Sequence, residues 1–249
     1  MMKQNYKIIV SYDGTRYRGW QKQTNTGDTI QGKLEALLSR MAGEEVAVKG
    51  AGRTDAGVHA LGQTANFRMD TELSDRELMD AINGFLPDDI AVLSLKRASE
   101  RFHSRLSAVG KAYCYRIYTG NARPVLTRRY VWNLGRELSI ERMEQAAAYL
   151  TGLHDFKSFC GNPRMKKSTV RRIDSVKVWR EPGEDEVRIR FEGNGFLQNM
   201  VRIMTGTLAQ CGLFERDPEE IPRILEARDR SAAGPMAPAC GLTLMEVKY

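Results

Sequence analysis

The chain has 249 residues, of which 42% are hydrophobic and 28% charged, with a formal net charge of +7. That apolar fraction excludes a disordered chain, and no apolar run approaches the ~20 residues that a transmembrane helix needs. The surplus of Lys and Arg points to a polyanionic partner, because each neutralised phosphate releases condensed counterions. The first residues, MMKQNYKIIVSYDG, carry no apolar signal core, so a cytoplasmic location is the expectation. Strand Tyr6 to Tyr12 comes first. Helix Thr29 to Met41 follows, with Ile30, Leu34, Leu37, Leu38 and Met41 on one face and Gly43 as its stop. Strands Glu45 to Lys49 and Ala60 to Arg68 flank a glycine-rich loop, Gly50 to Gly57. Ser74 and Glu77 form a capping-box pattern opening a helix that ends near Pro87, and strand Ile90 to Lys96 closes the half.

The second half repeats that order. Lys111 to Tyr118 alternates, with Tyr113, Tyr115 and Ile117 on one face and Cys114, Arg116 and Tyr118 on the other. A helix from Ser139 to Leu150, strands Ile173 to Trp179 and Glu186 to Phe191, a helix from Phe196 to about Cys211, a short helix from Pro218 to Ala227 and a strand from Leu242 to Tyr249 complete it. The expected fold class is therefore α+β. Two ferredoxin-like βαββαβ units, residues 1–105 and 106–249, form a mixed or antiparallel central sheet with helices on one side and a catalytic cleft between the units.

Four scattered cysteines without a CxxC pair, and three histidines without HxxxH spacing, read as reduced thiols with no zinc site. The basic residues cluster: Arg16 with Arg18, Arg101 with Arg105 and Lys111, Arg123 with Arg128 and Arg129, and a run of Arg164, Lys166, Lys167, Arg171 and Arg172. Their loop placement fits a nucleic-acid track better than a membrane-binding helix. Within Gly50 to Gly57, Arg53 and Asp55 stand two apart between glycines. On the residues alone a solvated turn is the plainer reading. Asp13 in YDGT reads as a turn residue, and His59 and His103 as structural or RNA-contacting.

GRTDAGVHA (Gly52 to Ala60) nevertheless resembles, residue for residue, the catalytic motif of the tRNA pseudouridine synthase A family. YDGTRYRGWQKQ (Tyr12 to Gln23), TIQGKLEALL (Thr29 to Leu38), FHSRLSAVGKAYCYRI (Phe102 to Ile117), HDFKSF (His154 to Phe159), NGFLQNMVRIMTG (Asn194 to Gly206) and the closing ACGLTLMEVKY are similar to the same family in the same order. The resemblance implies an isomerase that converts uridine to pseudouridine in tRNA, at positions thirty-eight to forty of the anticodon stem-loop. It implies a homodimer, and neither metal nor cofactor. Asp55 would be the catalytic carboxylate, as nucleophile or as base, and Arg202 the cation that keeps it ionised. Tyr113 would stack on the target uracil, Leu197 would wall its other side, and Arg53 would fill the stack that the flipped base vacates. Tyr115 reads as ordinary core.

One segment departs from the family pattern: Cys160 to Lys167 is basic, loop-like and a candidate RNA contact, and it leaves the chosen uridine open. The competing readings are the same chemistry on another uridine or RNA, a non-catalytic RNA-binding protein and, more remotely, a metal-dependent nuclease.

Overall fold

The computed structural model describes residues 3–162 and 164–249; Met1, Met2 and Pro163, the last within the basic segment singled out above, lie outside the described residues. In chain order the elements are β1 (Gln4–Tyr12), α1 (Ile30–Ala42), β2 (Lys49–Gly50), β3 (His59–Met69), α2 (Asp75–Phe85), β4 (Ile90–Arg97) and β5 (Gly110–Tyr118). After them come β6 (Trp132–Asn133), α3 (Ile140–Leu150), β7 (Gly152–Asp155), β8 (Val170–Arg180), β9 (Glu186–Gly193), α4 (Met200–Gly212), α5 (Ile221–Ala227) and β10 (Leu242–Lys248). The class is α+β, as expected. Two units form: Met1–Val109 with Leu244–Tyr249, and Gly110–Thr243. Residues 244–249, expected with the second unit, thus fall in the first, because β10 takes the place beside β3 in its sheet.

In the first unit the strands lie in the order β4-β1-β3-β10, with β2 also on β3. β1 is central and antiparallel to both neighbours, pairing Ile8 with Ala65 on one side and Leu95 on the other. Its alternation is the reason: Tyr6, Ile8, Val10 and Tyr12 are buried and form one core with Leu34 and Leu38 of α1 and Leu78 and Ile82 of α2. Thr29 caps α1 by accepting from the Gly32 N–H, and Gly43 ends it at φ 68°. The capping box of Ser74 and Glu77 opens α2 as predicted.

The opposite face of β1 and β3 is closed by polar groups. Asn5 Nδ2 donates to the carbonyls of Ser99 (2.8 Å) and Phe102 (3.1 Å), and Asn66 Nδ2 donates to Asn5 Oδ1 at 3.0 Å. The Ser104 N–H donates to Asn66 Oδ1, and the Ser104 hydroxyl donates to the Lys49 carbonyl. The Lys7 ammonium lies 4.0 Å from the centroid of the Tyr249 ring and 5.3 Å from that of Phe102. Burial, with Lys96 nearby, lowers the Lys7 pKa.

The predicted strand Glu45 to Lys49 shrinks to the two residues of β2. Val46 and Val48 are buried as a strand would have them. Their N–H groups, however, donate to Ser39 Oγ (2.9 Å) and Glu35 Oε1 (3.0 Å), so side chains of α1 take the bonds a ladder would have used.

In the second unit the order is β5-β9-β8-β7, antiparallel throughout, with β6 parallel on β5. Tyr113, Tyr115 and Ile117 are buried and Cys114, Arg116 and Tyr118 half-buried, as the alternation required. Ser139 caps α3, which buries Met143, Ala146, Ala147 and Leu150. The helix expected from Phe196 starts only at Met200. Asn199 sits at φ 59°, in the left-handed region, and breaks the helical path there. β6 and β7 were not foreseen; both are too short to show a period. Among the described residues no helix is long and apolar enough to cross a membrane.

Candidate active site

The Asp55 loop is fixed from several directions within its own unit. The Ala51 N–H donates to the Thr64 carbonyl at 2.8 Å, and Gln63 Nε2 donates to the Gly52 carbonyl at 2.9 Å, tying the start of the loop to β3. The Thr54 carbonyl accepts from the Trp20 N–H at 3.1 Å, and its hydroxyl is 2.8 Å from the buried Tyr12 hydroxyl. The Val58 N–H donates to the Asp55 carbonyl at 3.1 Å, and the Gly57 N–H to the Tyr17 carbonyl at 3.3 Å. Asp55 is thus flanked on both sides by pinned backbone, while its carboxylate stays half-buried.

Gly19 makes this possible. Its φ is +93°, and a Cβ there would lie 2.6 Å from the Thr54 carbonyl oxygen and 3.1 Å from the Asp55 carbonyl carbon. Only a residue without a side chain lets the chain before α1 run against the peptide of Asp55. Burial pushes the Tyr12 hydroxyl above the ordinary tyrosine range, so it remains protonated beside Thr54 at any working pH.

Arg53 is exposed, and its Nε donates to Gln21 Oε1 at 3.1 Å, which aims the guanidinium along the loop surface. Asp13 accepts from the Thr15 N–H and hydroxyl and caps a single 3-10 turn, the role read from YDGT. His59 is buried and accepts the Gly14 N–H on Nδ1 at 3.1 Å; His103 Nδ1 accepts from the Arg105 N–H at 3.1 Å. Both histidines shape turns.

The second unit holds Tyr113, Leu197 and Arg202. Tyr113 lies on β5 opposite Phe191 of β9 and is 7% exposed. Its ring meets the edge of Phe196, with centroids 5.1 Å apart and planes at 82°. The neighbouring Leu197 is buried, and its carbonyl accepts the Met200 N–H as α4 begins. Arg202 is the one charged residue of α4, whose other members are buried except for Gln210. Its Nε donates to the Ala237 carbonyl at 2.8 Å, and its own carbonyl accepts the Ala237 N–H at 3.1 Å. A freely solvated helix charge would not show the first of these bonds. The structure therefore joins Arg53 to Asp55 in one loop, and Tyr113 to the Phe196–Leu197 turn that leads into Arg202.

The family model described as tRNA pseudouridine synthase matches residues 8–105 and 146–249. The chain belongs to this family. Arg53, Asp55, Leu197 and Arg202 fall inside the matched stretches, and Tyr113 falls between them. The chain is 42% identical over 245 residues to a tRNA pseudouridine synthase A 2 of Bacillus cereus, covering 98% of this chain and 99% of that protein. It is 43% identical, over the same shares, to tRNA pseudouridine synthase A of a Thermoanaerobacter species. To the enzyme of that name from a further Bacillus species it is 42% identical, again over 98% of this chain and 99% of that protein. Membership in the family was legible from GRTDAGVHA and its companion blocks. The supports of the Asp55 loop were not: Tyr12, Gly19, Trp20 and Gln63 have no spacing relative to Asp55 that singles them out.

Proposed function

We propose that this protein isomerises uridine to pseudouridine at positions thirty-eight to forty of the tRNA anticodon stem-loop, with Asp55 as the catalytic carboxylate. The observation that carries the reading is a half-buried carboxylate held in a loop whose backbone is anchored on both sides of it, in a chain of the tRNA pseudouridine synthase family. In this isomerisation the bond between ribose C1′ and uracil N1 breaks and one between C1′ and C5 forms. The C5 proton is lost and N1 gains one, so no redox partner or phosphoryl donor enters.

A single carboxylate meets that demand, either by attacking the ribose or base or by removing a sugar proton. Its ionised form in a site shielded from water calls for a fixed cation, and Arg202 supplies that charge in this reading. Tyr113 offers an aromatic face for the uracil and Leu197 an apolar wall. Arg53, on the exposed rim of the loop, occupies the gap left when the base flips, an event that costs a few kcal/mol of unstacking. The basic clusters hold the RNA backbone. The working form is a cytoplasmic homodimer.

The test is release of tritium from tRNA labelled at uracil carbon five, without added metal or nucleotide. Asp55→Asn should abolish release while tRNA affinity stays within about threefold, because the amide keeps the side chain's shape and removes only its charge. Equal loss of binding and turnover would give Asp55 a structural role instead. Mapping pseudouridines in unmodified total RNA before and after treatment reads the position; conversion elsewhere would reassign the target and leave the chemistry standing.

A further inference from the structure

A strap of chain from Ala233 to Pro238 crosses α4 over the residues just beyond Arg202. The contact is unusually close: the Pro235 carbonyl oxygen lies 1.9 Å from where a Cβ of residue 206 would sit, a position filled by Gly206. The strap is fastened on both sides of that crossing. The Gly234 N–H donates to Thr207 Oγ1 at 3.0 Å, and that hydroxyl donates back to the Ile203 carbonyl at 2.8 Å. Beyond the crossing, the Tyr115 hydroxyl donates to the Pro238 carbonyl at 2.7 Å. Between these fastenings the Ala237 N–H donates to the Arg202 backbone carbonyl, and the Ala237 carbonyl accepts from Arg202 Nε.

The Nε of an arginine lies in the plane of its guanidinium. A bond from Nε to a fixed carbonyl therefore sets how that plane is turned, and with it where the two terminal nitrogens point. A loose strap would remove that constraint without removing the charge. We propose that the Ala233–Pro238 strap is a positioning device for Arg202, seated by Gly206 and fastened by Thr207 and Tyr115, and that it governs the rate of the isomerisation without governing tRNA affinity. Tyr115 is then a positioning residue, not the plain core that its alternation suggested. Burial raises the pKa of its hydroxyl, so the fastening persists across the working pH range.

This inference rests on the reading of Arg202 given above, and the experiment separates the two. Single-turnover rates and tRNA dissociation constants are measured for Tyr115→Phe, Gly206→Ala, Arg202→Lys, Arg202→Ala and the double variant Tyr115→Phe/Arg202→Lys, with melting curves for each. Tyr115→Phe keeps the ring and removes one fastening; its rate should fall about tenfold with tRNA affinity within about twofold, the size expected for one hydrogen bond. Gly206→Ala, which must push the strap away, should lose about a hundredfold.

Lysine at position 202 keeps the charge and lacks the planar fork. Once it is present the strap has nothing left to orient, so Tyr115→Phe should add less than about twofold in the double variant. A purely structural role for Tyr115 would multiply the two losses, and that outcome overturns the proposal. Parental rates in folded Tyr115→Phe and Gly206→Ala, beside an inactive Arg202→Ala, overturn it as well and spare the reading of Arg202. A fully active Arg202→Ala removes both. If Gly206→Ala does not fold, the cycle between Tyr115 and Arg202 decides alone.

Discussion

Replacing Gly19 by alanine tests whether the Asp55 loop owes its geometry to the chain that runs against it. A non-glycine residue at φ +93° costs about 1–3 kcal/mol. The added methyl would stand 2.6 Å from the Thr54 carbonyl oxygen, about 0.8 Å inside ordinary van der Waals contact at 3.4 Å. Relief requires the Thr54–Ala56 backbone to retreat by that distance. Two hydrogen bonds lie in the way: Trp20 N–H to Thr54 O at 3.1 Å and Ile30 N–H to Gly19 O at 3.2 Å, each contributing about 1 kcal/mol.

Together these place the destabilisation at roughly 3–5 kcal/mol, no more than the ~5–15 kcal/mol that keeps a domain folded. Gly19→Ala should therefore fold at 25 °C and melt roughly 6–20 °C below the parent. Because a displacement near 1 Å at a reacting group costs about a hundredfold in rate, tritium release under single-turnover conditions should fall by that order. Gly27→Ala is the control: nothing stands within 4 Å of its Cβ, so melting should stay within about 0.5 kcal/mol of the parent. A Gly19→Ala protein with parental melting and parental rate would refute the claim that this contact positions Asp55.

Three further outcomes are expected. Glu186 is buried and accepts hydrogen bonds from Arg116 (2.7 Å) and Arg188 (2.6 Å); burial alone would raise its pKa, but these bonds and the two positive charges hold it below the ordinary carboxylate value. Since the folded pKa lies below the unfolded one, its stabilisation is complete above the unfolded value of about 4.3 and is lost as pH falls through the folded one. Urea midpoints should drop across that acid range for the parent and change less for Glu186→Gln; parallel curves would contradict this. Lys166 and Lys167 line a groove with Lys157 and Arg228, and replacing both by alanine should lower the log-log salt slope of tRNA binding by about two in a filter-binding titration. An unchanged slope would remove the groove from the RNA track. Asn66→Ala leaves Asn5 Oδ1 and the Ser104 N–H without their partner and should cost about 2–4 kcal/mol by urea denaturation, with a loss under 1 kcal/mol counting against the network.

Particular residues show what the sequence carried and what it could not. Ser74 with Glu77 announced a helix start because capping is local chemistry, complete within four residues, and Thr29 and Ser139 prove to cap two other helices in the same way. Tyr113, Tyr115 and Ile117 announced the buried face of β5 because side chains alternate on any strand. Glu45 to Lys49 misled, since its valines are buried as in a strand while Ser39 and Glu35 of the preceding helix claim the N–H groups. The start of α4 misled because Phe196 to Asn199 has helical composition and only the backbone of Asn199 shows the break. The candidate residues on both units were named from motif blocks. What orients them came only from the fold: Gly19 against Thr54, Tyr115 on the strap, and the Ala237 peptide on Arg202.

The place of residues 244–249 bears on how the molecule is made. They belong to the first unit, yet the ribosome reaches them only after about 135 further residues beyond Val109. At about 5–20 residues per second that interval is roughly 7–27 s. Throughout it the β3 flank that will receive β10 is paired only by the two residues of β2, and an uncovered strand edge invites pairing with other nascent chains. A polypeptide stalled before residue 244 would carry the whole Asp55 loop on an unfinished sheet, so quality control during translation has a reason to act on this protein that its catalytic residues alone would not suggest.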